Sequence, residues 1–321
     1  MILCINANAA IDIVLFIDRF RPGETMRPNR VVTGVGGKGL DSALVLQSLG
    51  APVQTVSFAA GRNGEMLAHL LKERDVPVEL IWVPGETRVA NVIVETDFNR
   101  HSHITTPGYS VTLENCEDFK RCIHHQAPQA SWAIIAGSLP GGAPASLYRD
   151  VIALLHQNQV QVLIDCAGQP ALASLPAAPE IVKMNQDEFS QTFQNHPISQ
   201  VGWLGAVREV MHRFHLHNFV LTCGRKGLLA FTPQATYLAN APRQQEVNAA
   251  GSGDAVSAAL TYRLSLGDSW ESALRWAVAA GAAVVLTEGT AECQMTDVEY
   301  IHAQTSVQIV ETIQPGRYQL C

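Results

Sequence analysis

The chain has few of the features that mark metal-binding, membrane-spanning or nucleic-acid-binding proteins. Its seven cysteines are scattered and form no C-x-x-C pair, which argues against a zinc cage or a disulfide framework. No apolar run approaches the roughly 18 residues needed to cross a bilayer. A net charge of −7 without a basic patch argues against nucleic acid. These absences predict a cytoplasmic protein without nucleic-acid or membrane partners.

Apolar residues, by contrast, are plentiful. Of 321 residues, 47% are hydrophobic and 16% are charged, a composition that permits a large core and excludes disorder. Short apolar runs alternate with stretches of helical period through most of the chain. This alternation predicts an α/β fold with a mostly parallel central sheet and helices on both faces. The predicted strands are MILCI, VQTVSF, WAIIA, QVLID, EIVKM and FVLT.

Two segments break this alternation, residues 11–33 and 86–106. Both mix strand-forming residues with Arg, Asp, Asn and His, and neither has a helical period. They are predicted to form a small β appendage, which serves as a lid or a dimer surface. Residues 1–10, 34–85 and 107–321 are then the α/β core.

The first of two glycine-rich segments, Gly34 to Gly39, matches the G-x-G-x-x-G pattern of dinucleotide-binding turns. The acid that this fingerprint needs about 20 residues further on is missing, because VSFAA occupies that region. A Walker A loop is excluded as well, since Lys38 is followed by glycine rather than Ser or Thr. What remains is a glycine turn leading into a helix that ends at Gly50. Such a turn either presents amides to a ligand or serves packing alone.

The second segment, NAAGSGDAVSAAL, begins at Asn248. Gly251 and Gly253 allow a sharp turn, after which Asp254 opens a helix that is predicted to be amphipathic. Consecutive amides at the positive end of this helix can hold the developing charge of a γ-phosphoryl group. The neighbouring carboxylate can accept the proton of an attacking hydroxyl. Taken alone, the same residues are also compatible with a capped helix that has no catalytic role.

With both segments in view, the chain resembles the ribokinase-like PfkB carbohydrate kinases, and among them the phosphosugar branch with 1-phosphofructokinase and tagatose-6-phosphate kinase. NANAAID is similar to that branch's N-P-A-x-D, and GVGGKGLDSALVLQSLG and NAAGSGDAVSAAL are similar to its two signatures. Between the signatures lie GRNGE, GETR, AGSLPGG, LIDCAG, KMNQDE and LTCGRKG, each similar to a family block. The resemblance covers nearly the whole chain. It implies a three-layer α/β/α fold with a small β-sheet lid, and ATP-dependent phosphorylation of a sugar hydroxyl.

The resemblance also implies roles for individual residues on the sugar side. Arg27 and Arg88 fall where the phosphosugar branch places arginines near the sugar phosphate, and a guanidinium fork suits a phosphate dianion. The implied catalytic residues, with Asp254 as base and the others at its anion hole, are Asp254, Gly251, Ser252 and Gly253. The remaining implied sugar contacts are Asp12, Gly36, Gly37, Lys38, Asp41 and Ser138.

On the nucleotide side, the resemblance rests on a K-x-N-x-x-E block and on a glycine loop that passes the ATP phosphates. The implied ATP-binding residues are Lys183, Asn185, Thr222, Gly224 and Gly227. Glu188 is implied as a contact to Mg²⁺, directly or through water. Mg²⁺ is expected because phosphoryl transfer requires that the charge of the β- and γ-oxygens be neutralised.

One departure from the family bears on the substrate. The first signature normally has asparagine two residues after its last glycine, and this chain has Asp41 there. Asparagine donates and accepts hydrogen bonds, whereas an ionised aspartate only accepts them. The favoured substrate is a ketohexose phosphate (fructose 1-phosphate, fructose 6-phosphate or tagatose 6-phosphate), but Asp41 leaves open an unphosphorylated sugar, polyol or nucleoside. A non-catalytic sugar or nucleotide sensor on the same fold is a third hypothesis.

A homodimer formed through the β appendage is predicted too, because strand-rich flaps have exposed edges that a partner often covers. His101 and His103 are interpreted as surface or interface residues rather than metal ligands, since they lack a third ligand nearby.

Overall fold

The computed structural model of the protein describes residues 1–98, 100–194 and 198–312, and these contain fourteen β-strands and ten α-helices. The strands are β1 (Ile2–Asn6), β2 (Ala10–Ile17), β3 (Arg30–Gly36), β4 (Val53–Ala59), β5 (Val78–Trp82), β6 (Arg88–Glu95), β7 (Arg100–Thr105), β8 (Trp132–Ala136), β9 (Gln161–Asp165), β10 (Ile181–Asn185), β11 (Asn218–Thr222), β12 (Leu228–Phe231), β13 (Ala235–Asn240) and β14 (Ser306–Thr312). The helices are α1 (Lys38–Ser48), α2 (Gly61–Glu73), α3 (Leu113–Gln126), α4 (Leu147–Gln157), α5 (Gly168–Ser174), α6 (Gln186–Thr192), α7 (Ile198–Phe214), α8 (Ser252–Ser265), α9 (Trp270–Val284) and α10 (Met295–His302).

Ten of these strands form one sheet in the order β14-β13-β12-β11-β10-β9-β8-β1-β4-β5. The strands from β11 to β5 are parallel to their neighbours, with Ile2 of β1 paired to Val53 and to Trp132 on its two sides. Strands β12, β13 and β14 form an antiparallel edge. All six strands expected from the apolar runs lie in the parallel part, which confirms the mostly parallel sheet.

The core lies on both faces of this sheet. Alternate residues of β1 enter different hydrophobic clusters, Ile2 and Cys4 the cluster with α1, α8 and α9, and Leu3 and Ile5 the cluster with α3, α4 and α7. Because both faces of the parallel strands are covered, their sequences are continuous apolar runs rather than alternating ones. The predicted three-layer α/β/α arrangement is therefore confirmed. Among the described residues, no helix is long and apolar enough to span a membrane.

Helix α8 differs from its prediction. It was expected to be amphipathic, but residues 254–261 are all buried. The helix packs against both α1 and α9, and its small side chains, Ala255, Ala258 and Ala259, allow close contact on every side. Asp254, near the start of α8, is therefore held inside the protein.

A second sheet has four strands in the order β3-β2-β6-β7. It coincides with the two segments predicted as a β appendage, although β3 continues to Gly36, so that the first glycine signature begins inside a strand. The turn itself falls on Gly37, whose φ of 114° suits glycine. One face of this small sheet packs its valines and Phe16 against Val247 of the loop before α8. Its action as a lid stays a prediction.

Candidate active site

A cavity of about 730 Å³ lies where β10 and β11 end. The carboxyl ends of parallel strands are the usual place for a ligand in such a sheet. The wall of the cavity includes Lys38 and every residue that the resemblance implied for catalysis, ATP and Mg²⁺. These residues are Asp254, Gly251, Ser252, Gly253, Lys183, Asn185, Glu188, Thr222, Gly224 and Gly227.

The start of α8 is shaped by its two glycines. Gly251 caps the helix in a left-handed conformation with φ of 82°, and an added Cβ would lie 2.5 Å from the backbone nitrogen of Ala291. An added Cβ at Gly253 would lie 2.9 Å from Lys183 Nζ. No larger residue fits either position without displacement. Gly251 and Gly253 therefore lie on the cavity wall with a lysine ammonium close to Gly253, a combination that suits an anion.

A buried aspartate, Asp165, holds two of the site's lysines. Its Oδ1 accepts from Lys38 Nζ at 2.8 Å and its Oδ2 from Lys183 Nζ at 2.7 Å, while Ser257 Oγ donates to Oδ2 at 2.8 Å. Burial alone would raise the pKa of Asp165, but the charges of Lys183 and Lys38 outweigh burial and hold the pKa below its ordinary value. The two ammonium groups are thus fixed in place before any ligand binds.

Glu188 lies beside this network and is itself well anchored. One carboxylate oxygen accepts from Lys38, and the other accepts from the backbone amide of Asn185 at 2.8 Å. Asn185 Oδ1 in turn accepts from the Glu188 amide at 2.8 Å, which completes a capping box at the start of α6.

The side-chain oxygen atoms of Glu188 and Asn185 are suited to only a partial coordination of Mg²⁺. Carboxylate and amide oxygens are the hard ligands that Mg²⁺ prefers, and it keeps several waters and takes substrate phosphate oxygens. In the described residues, no group of three or more His, Cys, Asp or Glu side chains is assembled to hold a metal ion. Glu188 therefore fits a contact made through water rather than a cage built of protein ligands.

The carboxyl group of Asp254 is buried and partly unpartnered. Burial and the charge of Asp165 raise its pKa to about 7, against the opposing effect of Lys38 and Lys183. Its Oδ1 is buried and has no hydrogen-bond partner among the described residues. A carboxyl group that ionises near neutral pH, with an oxygen free to receive a proton, matches what general base catalysis requires.

Next to Asp254 lies a second set of polar groups, from the small sheet and the first signature. Asp12 of β2 accepts from Thr290 Oγ1 at 2.8 Å. An added Cβ at Gly36 would lie 1.9 Å from Asp12 Oδ1, so only glycine leaves room for this carboxylate. Burial raises the pKa of Asp12 to about 6, and the Thr290 hydrogen bond and the charge of Arg88 limit that rise.

Hydrogen bonds link Arg88 through Asn8 to Ser138, just after β8. Its Nη2 donates to the carbonyl of Asn8 at 3.1 Å, and Asn8 Nδ2 donates to Ser138 Oγ at 3.0 Å. Gly37 lies against the Asn6 side chain, which accepts from the Gly39 amide at 3.2 Å. Arg88 Nε is buried and has no hydrogen-bond partner in the described part of the chain.

Asp41 and Arg27 occupy contrasting positions. Asp41 is buried in the first turn of α1, where the charges of Asp254 and Asp12 act on it, so it connects the two halves of the site. Arg27 is exposed on the loop between β2 and β3. The predicted contact of Arg27 with a sugar phosphate therefore stays a prediction.

Some residues of the site were missed by the sequence reasoning. Asp165 carried a usable signal, because it ends a buried strand at the carboxyl edge of the sheet. Thr290 carried none, since 278 residues separate it from Asp12. His103, interpreted as a surface or interface residue, lies on the cavity wall, and His101 Nε2 lies 3.1 Å from a carboxylate oxygen of Glu246.

Comparison with known proteins agrees with this geometry. Residues 2–297 match the family described as pfkB family carbohydrate kinase. Because the match spans most of the chain, the protein belongs to the pfkB family, and the prediction of an ATP-dependent carbohydrate kinase is confirmed.

Individual relatives are similar over nearly their whole length. The chain is 29% identical over 298 residues to ATP-dependent 6-phosphofructokinase isozyme 2 of Mycobacterium tuberculosis, which covers 93% of this chain and 88% of that one. It is 28% identical over 288 residues to 1-phosphofructokinase of Vibrio cholerae, covering 90% of each. Phosphofructokinase-2 from Escherichia coli in complex with potassium has a TM-score of 0.84 at 23% identity, covering 94% of this chain and 98% of that one. This structural similarity shows a shared fold.

Proposed function

We propose that the protein transfers the γ-phosphoryl group of ATP to a hydroxyl group of a ketohexose phosphate, with Asp254 as the base. The observation that carries the proposal is the buried Oδ1 of Asp254, which has no hydrogen-bond partner among the described residues and lies at the start of α8 beside Gly251 and Gly253 on the cavity wall. The relatives are named 6-phosphofructokinase and 1-phosphofructokinase. Fructose 6-phosphate and fructose 1-phosphate are therefore the first candidates, with tagatose 6-phosphate as the third.

Each part of the cavity has a task in this reaction. The loop with Thr222, Gly224 and Gly227 passes along the ATP phosphates, and Lys183 and Lys38 offset their charge from fixed positions. The amides of Gly251 and Gly253 receive the charge that develops on the transferred group, while that of Ser252 donates to the Ala249 carbonyl at 3.2 Å. Glu188 would hold Mg²⁺ there, and the ion would supply positive charge against the phosphates of ATP. Asp254 accepts the proton of the sugar hydroxyl as the new bond forms.

The sugar lies on the side of Asp12 and Arg88 in this proposal. Asp12 accepts from a sugar hydroxyl, together with contacts from Gly36, Gly37 and Ser138. Arg88 has one guanidinium nitrogen without a partner in the described residues, and a phosphate oxygen can complete it. Arg27 is the second candidate for the phosphate. An ionised Asp41 would favour an alternative, a kinase of an unphosphorylated sugar, polyol or nucleoside, because a further carboxylate repels a phosphate.

The small sheet, residues 11–33 and 86–106, acts as a lid over the sugar and as a homodimer surface in this proposal. Val31 and Ile104, both more than half exposed, lie on the face of the sheet that points away from Val247, and a second copy would bury them. Light scattering of the wild type and of Val31→Asp tests this: a dimer that the substitution dissociates supports it, and a monomeric wild type contradicts it. A cytoplasmic location, where ATP is abundant, belongs to the same proposal.

The experiment that tests the function is an ADP-release assay with Mg·ATP and a panel of sugars. The panel holds the three ketohexose phosphates and their unphosphorylated parents, and the variants are Asp254→Asn and, as a matched control, Asp118→Asn on the surface of α3. We expect the wild type to turn over one phosphosugar. The turnover rate should fall about a thousandfold in Asp254→Asn and stay unchanged in Asp118→Asn, and both variants should still bind ATP.

Other outcomes contradict separate parts of the proposal. Turnover on free sugars alone would replace the phosphosugar with the alternative substrate class. Wild-type turnover by Asp254→Asn would remove Asp254 from its role. Binding of ATP without turnover on any sugar would favour the non-catalytic sensor.

A further inference from the structure

Asp41 occupies an unusual position for a carboxyl group. It lies in the first turn of α1, where the resemblance to the family leads to an expectation of asparagine, and its side chain is almost fully buried, with 5% exposed. Its Oδ1 has no hydrogen-bond partner in the described residues. A buried polar oxygen without a partner is costly unless a ligand or a proton completes it.

The surrounding charges do not compensate an ionised Asp41. Two other carboxyl groups, those of Asp254 and Asp12, act on it with the same sign of charge. The cations in range, Arg88 and Lys38, are turned to other partners: Arg88 donates to the Asn8 carbonyl, and Lys38 donates to Asp165 and Glu188. Burial, followed by the charges of Asp254 and Asp12, raises the pKa of Asp41 well above its ordinary value.

A neutral carboxylic acid resembles an amide in its hydrogen bonding. It has one O–H donor and a carbonyl acceptor, whereas a carboxylate can only accept. The protonated form of Asp41 can therefore make the pair of interactions that asparagine makes at the same place. It also adds no negative charge beside a phosphorylated substrate.

Resting on the proposed function, we propose that Asp41 binds the sugar as a neutral carboxylic acid that donates a hydrogen bond to a hydroxyl oxygen next to Asp254. In this proposal Asp41 is a positioning residue. The substrate group that it recognises is a neutral hydroxyl rather than a cation. The substitution of aspartate for asparagine leaves the phosphosugar substrate class unchanged.

The proposal separates two variants that a structural role would not separate. Asp41→Asn keeps a donor and an acceptor, while Asp41→Ala keeps neither. At pH 7.5 we expect kcat/KM for fructose 6-phosphate, or for whichever phosphosugar of the panel is turned over, to stay within about threefold in Asp41→Asn and to fall about tenfold or more in Asp41→Ala. An equal, large loss in both variants would show that the ionised carboxylate is required and would overturn the proposal.

Infrared difference spectroscopy gives a readout that does not depend on turnover. The spectrum of the wild type minus that of Asp41→Asn at pH 7.5 isolates the carbonyl stretching band of one protonated carboxyl group, with Asp118→Asn as the control. We expect this band in the free protein and a shift of it when the same phosphosugar binds. A missing band, or a band that binding leaves unmoved, overturns the proposal. If no sugar of the panel binds or is turned over, the proposed function fails instead.

Discussion

The proposed nucleotide side and the proposed sugar side of the site differ in how their charges are balanced. On the nucleotide side, Asp165 is paired with Lys38 and Lys183, and Glu188 is bonded at both oxygens. On the sugar side, polar atoms of three residues are buried with no partner in the described chain. They are Oδ1 of Asp41, Oδ1 of Asp254 and Nε of Arg88.

This difference follows from what each side has to do. The phosphates of ATP are alike in every reaction, so fixed lysines and helix amides can be arranged beforehand, and preorganised charge costs nothing at the moment of reaction. Sugar recognition depends on individual hydroxyl groups, and an unpaired polar atom penalises any ligand that fails to complete it. We therefore expect substrate specificity to depend on these unpartnered atoms.

Removing the balancing charge from the nucleotide side should have the largest effect on stability. Asp165→Asn leaves Lys183 buried without its ionic partner, and we expect the free energy of unfolding to fall by about 3–5 kcal/mol. Denaturant titration measures this fall. The control Asp118→Asn breaks a surface pair with Arg121 and should cost less than about 1 kcal/mol. Equal losses in the two variants would contradict the idea that the buried network is preorganised.

A substitution on the sugar side should leave the nucleotide side unaffected. In Arg88→Ala, we expect the KM for the phosphosugar to rise about 10- to 100-fold, because a hydrogen bond to a charged group is lost. The KM for ATP should stay within about twofold. Steady-state kinetics with each substrate varied in turn measures both, and Arg21→Ala on the exposed β2–β3 loop is the control. A parallel rise in both KM values would show that the two sides are not separable.

As the proposed base, Asp254 should give the pH profile of kcat an acid limb, which is a fall in kcat toward low pH. Asp254 must be ionised to accept a proton, and its pKa is raised to about 7. At saturating substrates we expect kcat to fall about tenfold for each pH unit below that value and to level off above it. The residual activity of Asp254→Asn should lack this limb. A wild-type kcat that is constant from pH 5.5 to 8 would assign the proton transfer elsewhere.

The smallest expected effect is a gain of stability from removing the base. A raised pKa means that the neutral form of Asp254 is favoured in the folded state. The stability that neutral Asp254 contributes is fully present below the pKa of unfolded aspartate, about 3.9. It is lost as the pH rises through about 7. Asp254→Asn should therefore raise Tm by about 2 °C or more at pH 8 and by less at pH 4.5. Calorimetry that finds the same change at both pH values would contradict it.

Much of the fold could be predicted because its signals are local. The strand WAIIA is a continuous apolar run, and a strand covered on both faces requires such a run. The glycines at 251 and 253 could be singled out because the backbone there needs either a positive φ or room for a close neighbour. These requirements act within a few residues, so a short stretch of sequence carries them.

Other features depend on residues far apart in the chain, and no short pattern contains them. The amphipathic expectation for α8 failed because burial of its outer face depends on α1 and α9, which pack on it from either side. The hydrogen bond from Thr290 to Asp12 spans 278 residues. Arg27, assigned through the resemblance, is exposed on the loop between β2 and β3, and its contact with a sugar phosphate stays a prediction.

Residue types and spacing were thus enough to identify the α/β class and the two signatures, and to predict Asp254 as the base. The state of each group in the site was not contained in them. Whether a carboxyl group is paired, as in Asp165, or buried and unpaired, as in Asp41, depends on which charges the folded chain brings within a few ångströms. Electrostatic interaction and desolvation act through space, so these states follow from packing and not from order along the chain.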